Sequence, residues 1–360
     1  MLIELEKRKE PSKAMLYLAP VIAVAATMLA GAIIFSLIGH DGFGAVRKIF
    51  LSPLLDSYKW QDLGVKAAPL ILIGVGLAIG FRANVWNIGA EGQYIMGGLA
   101  GTGVALATWG MTGWWILPLM CIAGIAGGAA YAGIPAFLKT RLNVNEILSS
   151  LMLTYVAIQV LYYLMRGPWK DPQGFNFPQT RLFTDDQILP TVIPNTVVHL
   201  GVPLAFLVAI AAWFVMSRSV FGFQIRVVGA APAAARYGGF NTNKTIWAAL
   251  LAGGGLAGFA GILEAAGPFG QMVPQFPTQY GFTAIIVAFL GRLHPIGIIF
   301  AGIILAVTYV GGELAQSSIG LPAAATGVFQ AMMLFFLLAT DVLVKYRVKF
   351  ASAVKAGDPA

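Results

Sequence analysis

Between Leu16 and Thr340 the chain carries a succession of apolar runs, and no polar block among them is long enough to build a separate water-soluble core. Bounded by charges and turn residues, the runs lie near 16–38, 67–81, 93–109, 114–138, 147–165, 199–216, 246–266, 282–290, 295–312 and 322–340. A run of about 20 apolar residues matches the thickness of a bilayer core. In that medium the backbone must satisfy its own hydrogen bonds, which leaves helices as the way to cross. The sequence therefore predicts an all-α fold, a polytopic membrane bundle of about ten spans forming a single domain over residues 1–360. Runs 67–81 and 282–290 are too short to cross, so their helices either extend into flanking polar residues or break within the membrane.

Composition supports the same reading. Hydrophobic residues are 58% of the 360 positions and charged residues 11%, a balance foreign to soluble domains of this length. The formal charge of +8 is dispersed in short clusters between spans, which is a pattern of membrane orientation and not of nucleic-acid binding. Lys7, Arg8, Lys9 and Lys13 precede the first run, which is longer than a signal-peptide core and reads as a retained span. With residues 1–15 cytoplasmic, alternation places 139–146, 217–245 and the tail 341–360 inside. These segments carry Lys139 and Arg141, then Arg218, Arg226, Arg236 and Lys244, then Lys345, Arg347, Lys349 and Lys355. Segment 217–245 has no acid at all, whereas the outside loop 166–198 balances its charges. Span count and positive-inside bias thus agree on a multi-pass inner-membrane protein with both termini cytoplasmic.

Catalytic and metal chemistry find little to work with. Cys121 is the single cysteine, and His40, His199 and His294 are scattered as loop or interface residues, so no metal cluster is expected. The stretch Gly238-Gly239-Phe240-Asn241-Thr242-Asn243-Lys244-Thr245 approaches a phosphate-binding loop but has Asn243 where the second glycine must permit the tight turn. The chain is expected to bind no nucleotide itself. Glu264 and Glu313 fall toward the outer ends of their runs and Arg292 in a short inside connection, where long side chains reach water.

Three polar patterns stand out. Gly229 to Gly239 predicts a short cytoplasmic helix: Pro232 suits its first turn, Ala233 to Tyr237 favour helix, and Gly238-Gly239 ends it. Such a stiff projection fits a mechanical contact with a soluble motor, and equally an ordinary basic loop. Asn84, Asn87, Glu91 and Gln93, with Gly89 and Gly92 between them, fit either a helix break that binds a polar uncharged solute or a turn capping two helices. Phe269, Gln271, Gln275, Phe276, Gln279, Tyr280 and Phe282 form an aromatic and amide stretch, expected at the outer face, that suits a nucleobase or sugar ring or anchors the interface. Glycine pairs four apart, Gly76/Gly80, Gly97/Gly101, Gly124/Gly128 and Gly254/Gly258, predict close helix packing.

Over nearly its whole length the chain resembles permease subunits of bacterial ATP-binding-cassette importers for simple sugars, nucleosides and branched-chain amino acids. The residues that carry the resemblance are Arg82 to Gln93 (RANVWNIGAEGQ), Gly229 to Gly239, and Gly281-Phe282-Thr283-Ala284-Ile285 running to Leu290-Gly291. The family usually has Asn before the proline of the docking segment, where this chain has Ala231. The outside stretch Gly167-Pro168-Trp169-Lys170-Asp171-Pro172 with Phe177-Pro178-Gln179-Thr180 looks most like the nucleoside and purine branch. The resemblance implies a pathway subunit for a small polar solute, with ATP and Mg held by a separate ATPase subunit, a second permease subunit of the same or another sequence, and an extracytoplasmic solute-binding protein. It assigns ATPase coupling to Gly229, Pro232, Ala234, Arg236, Tyr237, Gly238 and Gly239, and makes Asn87, Glu91, Gln93, Gln271, Gln279 and Phe282 candidates for the solute pathway. The competing class is an ion-gradient-driven secondary transporter, which would need a buried ion site and no docking helix. A membrane-embedded enzyme lacks a nucleophile and base.

Overall fold

The computed structural model describes residues 2–8, 12–39, 41–322 and 324–351, so Lys9, His40 and Lys355 lie outside the described residues. The helices are α1 (Lys13–Leu37), α2 (Gly42–Val46), α3 (Ser52–Leu55), α4 (Trp60–Arg82), α5 (Ala90–Ala107), α6 (Ile116–Leu142), α7 (Glu146–Arg166), α8 (Gly201–Arg218), α9 (Val220–Ala230), α10 (Pro232–Tyr237), α11 (Thr242–Glu264), α12 (Tyr280–Leu290), α13 (Pro295–Ile319) and α14 (Ala324–Lys345). Their starts follow side-chain chemistry: Asn145, Ser219 and Asn241 accept the N–H of Ile147, Gly222 and Lys244, satisfying donors that a first helical turn leaves free. Among the described residues eight helices are long and apolar enough to cross a membrane, and α5 and α12 complete the ten apolar runs.

The structure separates the two short runs. Run 67–81 belongs to α4, which extends back through polar residues to Trp60 and makes a full crossing. Run 282–290 stays short: α12 has 11 residues, a length of about 16 Å against the roughly 30 Å of a bilayer core.

Two compact units emerge, one of Met1–Ser52 with Gly311–Ala360 and one of Pro53–Val310. In the first, α1 packs on α14, the Phe35 and Phe50 rings lie against Phe329, and Thr340 Oγ1 donates to the Ala19 carbonyl. Its outer segments add to the helical expectation a two-stranded antiparallel sheet, β1 (Leu2–Lys7) with β2 (Tyr346–Ala351), in register Leu2 to Ala351.

In the second unit α4 is enclosed along most of its length, with α8, α9, α11 and α12 around it. Helices α5, α6 and α11 approach until backbones touch. A Cβ on Gly258 would collide with the Gly124 carbonyl and Gly128, and one on Gly97 with Gly258. Three of the glycine pairs read from the sequence thus face their neighbours: Gly124/Gly128 and Gly254/Gly258 pack on each other, and Gly97/Gly101 on Gly258 and Ile262.

Candidate functional site

Two helix starts meet inside the second unit. After α4 ends at Arg82 the chain runs without helix through Ala83–Gly89, anchored on the first turns of α7: Glu146 Oε1 accepts from Trp86 N at 3.3 Å and Ser150 Oγ from Ile88 N at 3.1 Å. Lys139 ion-pairs with the same Glu146. The Asn87 and Gln93 carboxamides exchange two hydrogen bonds, Nδ2 to Oε1 at 2.8 Å and Nε2 to Oδ1 at 3.0 Å, and Asn87 Oδ1 also accepts from Gly89 N. All three polar candidates of this segment, Asn87, Glu91 and Gln93, are buried.

Glu91, in the first turn of α5 and 1% exposed, reaches the start of the other helix. Its Oε1 accepts from Gln279 N at 2.9 Å and its Oε2 from Gly281 N at 2.6 Å. A carboxylate thus caps α12 from across the bundle, at the end of the helix dipole that favours negative charge. The approach requires a glycine, since a Cβ on Gly281 would overlap the Glu91 backbone. Around this junction Tyr94 stacks on Phe276 with ring centroids 4.7 Å apart, and Tyr280 meets both Tyr94 and Tyr309 edge-on.

The depth of the junction follows from α12. Its far end packs Phe289 on Phe81 in the last turn of α4, at 5.3 Å, so its start lies about half-way across the bilayer core. The aromatic and amide stretch expected at the outer face starts against loop 167–200 at Gly270 and Met272 and descends to that junction at Phe276 and Gln279. Irregular backbone at such depth needs partners within the protein, and it has them. Met272 exchanges hydrogen bonds with Thr180, Gly270 O accepts from Phe183 N, Ala266 O from Leu189 N, and Thr278 O from Tyr309 Oη. These partners come largely from loop 167–200, which is itself fixed: Gln187 is buried on the Ala105 carbonyl and Asp186 accepts from Gly113 N. Phe175 and Phe177 at its tip are exposed, as are Leu182 and the turn around Val192 and Ile193.

Gln271 is half-buried, Phe282 partly covered and Gln279 exposed, in a left-handed conformation with φ 63°. Glu264, expected at an interface, is instead buried beside Lys66 and Tyr280. The sequence signal for that burial was present in the glycine-rich face of α11, but its partner Lys66 is nearly two hundred positions away. Of the other titratable candidates, His199 sits buried in the loop before α8, its Nδ1 accepting from Gly201 N, and His294 in the turn before α13. Among the described residues no group of His, Cys, Asp and Glu is placed to hold a metal ion.

The cytoplasm-assigned segment forms two helices, not one. The predicted short helix is α10, with Pro232 at its first position and Gly238 ending it. Ala235 is buried, while Pro232, Ala233, Ala234, Arg236 and Tyr237 are exposed, Tyr237 to 97%. Helix α9 precedes it, buries Ile225 and Val228, and rests Gly229 directly on the Arg82 carbonyl and Ala83, where the non-helical segment begins. The near-match to a phosphate loop dissolves here, since α11 already starts at Thr242 and Asn243 and Lys244 belong to its first turn.

A multi-pass bundle with a half-length helix capped at mid-membrane and a solvent-facing helix between spans is the build of a transport pathway subunit. Residues 61–338 match the model of the family described as branched-chain amino acid transport system / permease component. The glucose ABC transporter permease protein TsgB13 of Haloferax volcanii is 35% identical, covering 99% of this chain and 96% of that relative. The guanosine permease NupP of Bacillus subtilis is 29% identical over 89% of this chain and 92% of its own. The nucleoside permease NupB of Lactococcus lactis is 26% identical over 95% of each. The chain belongs to this permease family and is the non-catalytic, membrane-spanning subunit of an ATP-binding-cassette importer. Sugar and nucleoside permeases stand together among its relatives, so the nucleoside and purine branch suggested by the outside loop is not singled out.

Proposed function

We propose that the chain forms half of a translocation pathway for a small polar, uncharged ring solute, glucose or a nucleoside, and that residues 271–282 line it. The observation that carries this is Gln279: a carboxamide exposed half-way across the membrane is costly against lipid and natural against a water-filled passage. The amide edges of Gln271 and Gln279 and the ring of Phe282, all on this stretch, are the side-chain types that give ring solutes with hydroxyls directional hydrogen bonds and an apolar face. Asn87, Glu91 and Gln93 serve the pathway indirectly by holding open the helix break that shapes it. A second permease subunit supplies the facing half.

In this reading α10 is the contact with a separate ATPase subunit that carries ATP and Mg. Pro232, Ala234, Arg236 and Tyr237 present its outer surface, and Gly229, Gly238 and Gly239 set its position. Force passes from α10 through α9 onto Arg82–Ala83 and so to the segment that leads to Glu91. An extracytoplasmic solute-binding protein delivers cargo to the side where loop 166–198 exposes Phe175 and Phe177. Residues 1–15, 217–245 and 341–360 face the cytoplasm of a bacterial cell.

The test is uptake of radiolabelled glucose and guanosine into proteoliposomes holding the full importer. Gln279→Ala is expected to raise KM several-fold for the transported solute with unchanged insertion and ATPase docking. Wild-type KM in Gln279→Ala and Phe282→Ala alike would remove this stretch from the pathway.

A further inference from the structure

At the membrane face that carries α10, the last turn of α6 and the first turns of α11 border an open pocket of about 500 Å³ lined by Thr140, Arg141, Asn241, Asn243, Lys244 and Trp247. The two helices are tied there, Trp247 Nε1 donating to Thr140 Oγ1 at 2.9 Å. Two cations and two carboxamides face the space, and no acid does. The nearest acidic residue in sequence, Glu146, is engaged by Lys139, and neither Arg141 nor Lys244 has an ion pair among the described residues. Orientation by the positive-inside rule requires basic residues in this segment, but it does not require two of them to converge on one cavity from different helices.

We propose that this cavity binds the phosphate of an anionic phospholipid headgroup, held between Arg141 and Lys244. A phosphodiester offers acceptors to the guanidinium fork, the ammonium and the amide N–H groups together. Lipid is favoured over a soluble phosphate by what lies toward the membrane interior. Phe137 and Ile134 stand four and seven positions before Arg141, on the same face of α6, and both are exposed. An acyl chain running along them continues directly from a headgroup at Arg141. Trp247 marks the depth, since an indole with its N–H hydrogen-bonded and its ring against the bundle sits at headgroup level. Because Asn241 caps α11 immediately after α10, a headgroup here ties the docking helix to the lipid composition of its leaflet.

The experiment is native mass spectrometry of the full-length chain in detergent, titrated with dioleoyl-phosphatidylglycerol, with dioleoyl-phosphatidylcholine, and with inorganic phosphate as competitor. One phosphatidylglycerol should be retained in preference to phosphatidylcholine, and inorganic phosphate should fail to displace it. Arg141→Gln with Lys244→Gln should weaken retention roughly thirtyfold, from the usual contribution of two basic side chains at an anionic surface. Arg141→Lys with Lys244→Arg should restore most of it. Asn243→Asp, at an exposed position, removes no cation and should also weaken binding, which guards against a double variant that folds poorly. Wild-type retention in the double glutamine variant, or in Asn243→Asp, would overturn the proposal. Displacement by millimolar inorganic phosphate would overturn the lipid assignment in favour of a soluble phosphate.

Discussion

The first N–H groups of α12 take their partner from another helix, because Gln279, which starts it, supplies no side-chain cap. Glu91, itself 1% exposed, accepts one of those bonds from Gly281 N and a second from Gln279 N just before the helix. Glu91→Ala should therefore cost about 3 kcal/mol of stability, the expense of leaving buried donors unpaired. Glu91→Gln should fall between, since its amide oxygen can still accept one of the two bonds. Chemical denaturation of the purified chain measures both, and wild-type stability in Glu91→Ala would mean the cap is idle. The sequence shows Asn87, Glu91 and Gln93 as polar residues at a break between two apolar runs, and leaves open whether that break is a solute site or a turn capping two helices. The partners of Glu91 were not legible: Gln279 and Gly281 are about 190 positions away, and no local pattern encodes a pairing at that separation.

Among elements, α10 and α12 show where sequence reading succeeds and where it stops. Pro232 and Gly238 bound α10 because proline and glycine act locally, through a fixed φ and a helix stop. The flanking α9 gave no such signal, since its 11 residues mix Gly222, Gln224, Arg226 and Gly229 with apolar ones and its helix is stabilised by packing on α4 and α8. The shortness of run 282–290 was legible, yet whether it extended or broke depended on the descent of residues 270–279 and on partners in loop 167–200. The exposure pattern of α10 separates two kinds of variant. Ala234→Asp and Tyr237→Ala alter its outer surface, and each should release the ATPase from membranes or uncouple its turnover from uptake without lowering the amount of inserted permease. Ala235→Asp instead puts a charge at a position 1% exposed and should lower the yield of folded chain. Wild-type ATPase binding in both surface variants, measured by co-purification, would place the docking surface elsewhere.

Across the whole molecule, the division between faces that meet lipid and faces that meet water has to be read from polarity at a given depth. The pattern of apolar runs gives the number of spans, because apolar length is what a crossing demands. It cannot tell Gln279 from an outer-surface residue, and only the half-length of α12 puts that side chain at mid-membrane. Cysteine accessibility turns this into a measurement, helped by the presence of a single native cysteine, Cys121. In a Cys121→Ala background, Gln279→Cys should react with a membrane-impermeant, charged thiosulfonate, because a thiol ionises and reacts where water reaches it. Ile125→Cys, exposed on the apolar surface of α6, should stay unmodified by the same reagent, since lipid excludes both water and the charged probe. Saturating transported solute should slow the reaction at Gln279→Cys. Equal rates at the two positions would show that residue 279 faces lipid or a closed interface, and a reaction that solute leaves unchanged would show that residue 279 meets water away from the solute; in either case the pathway would have to run along another face of the bundle.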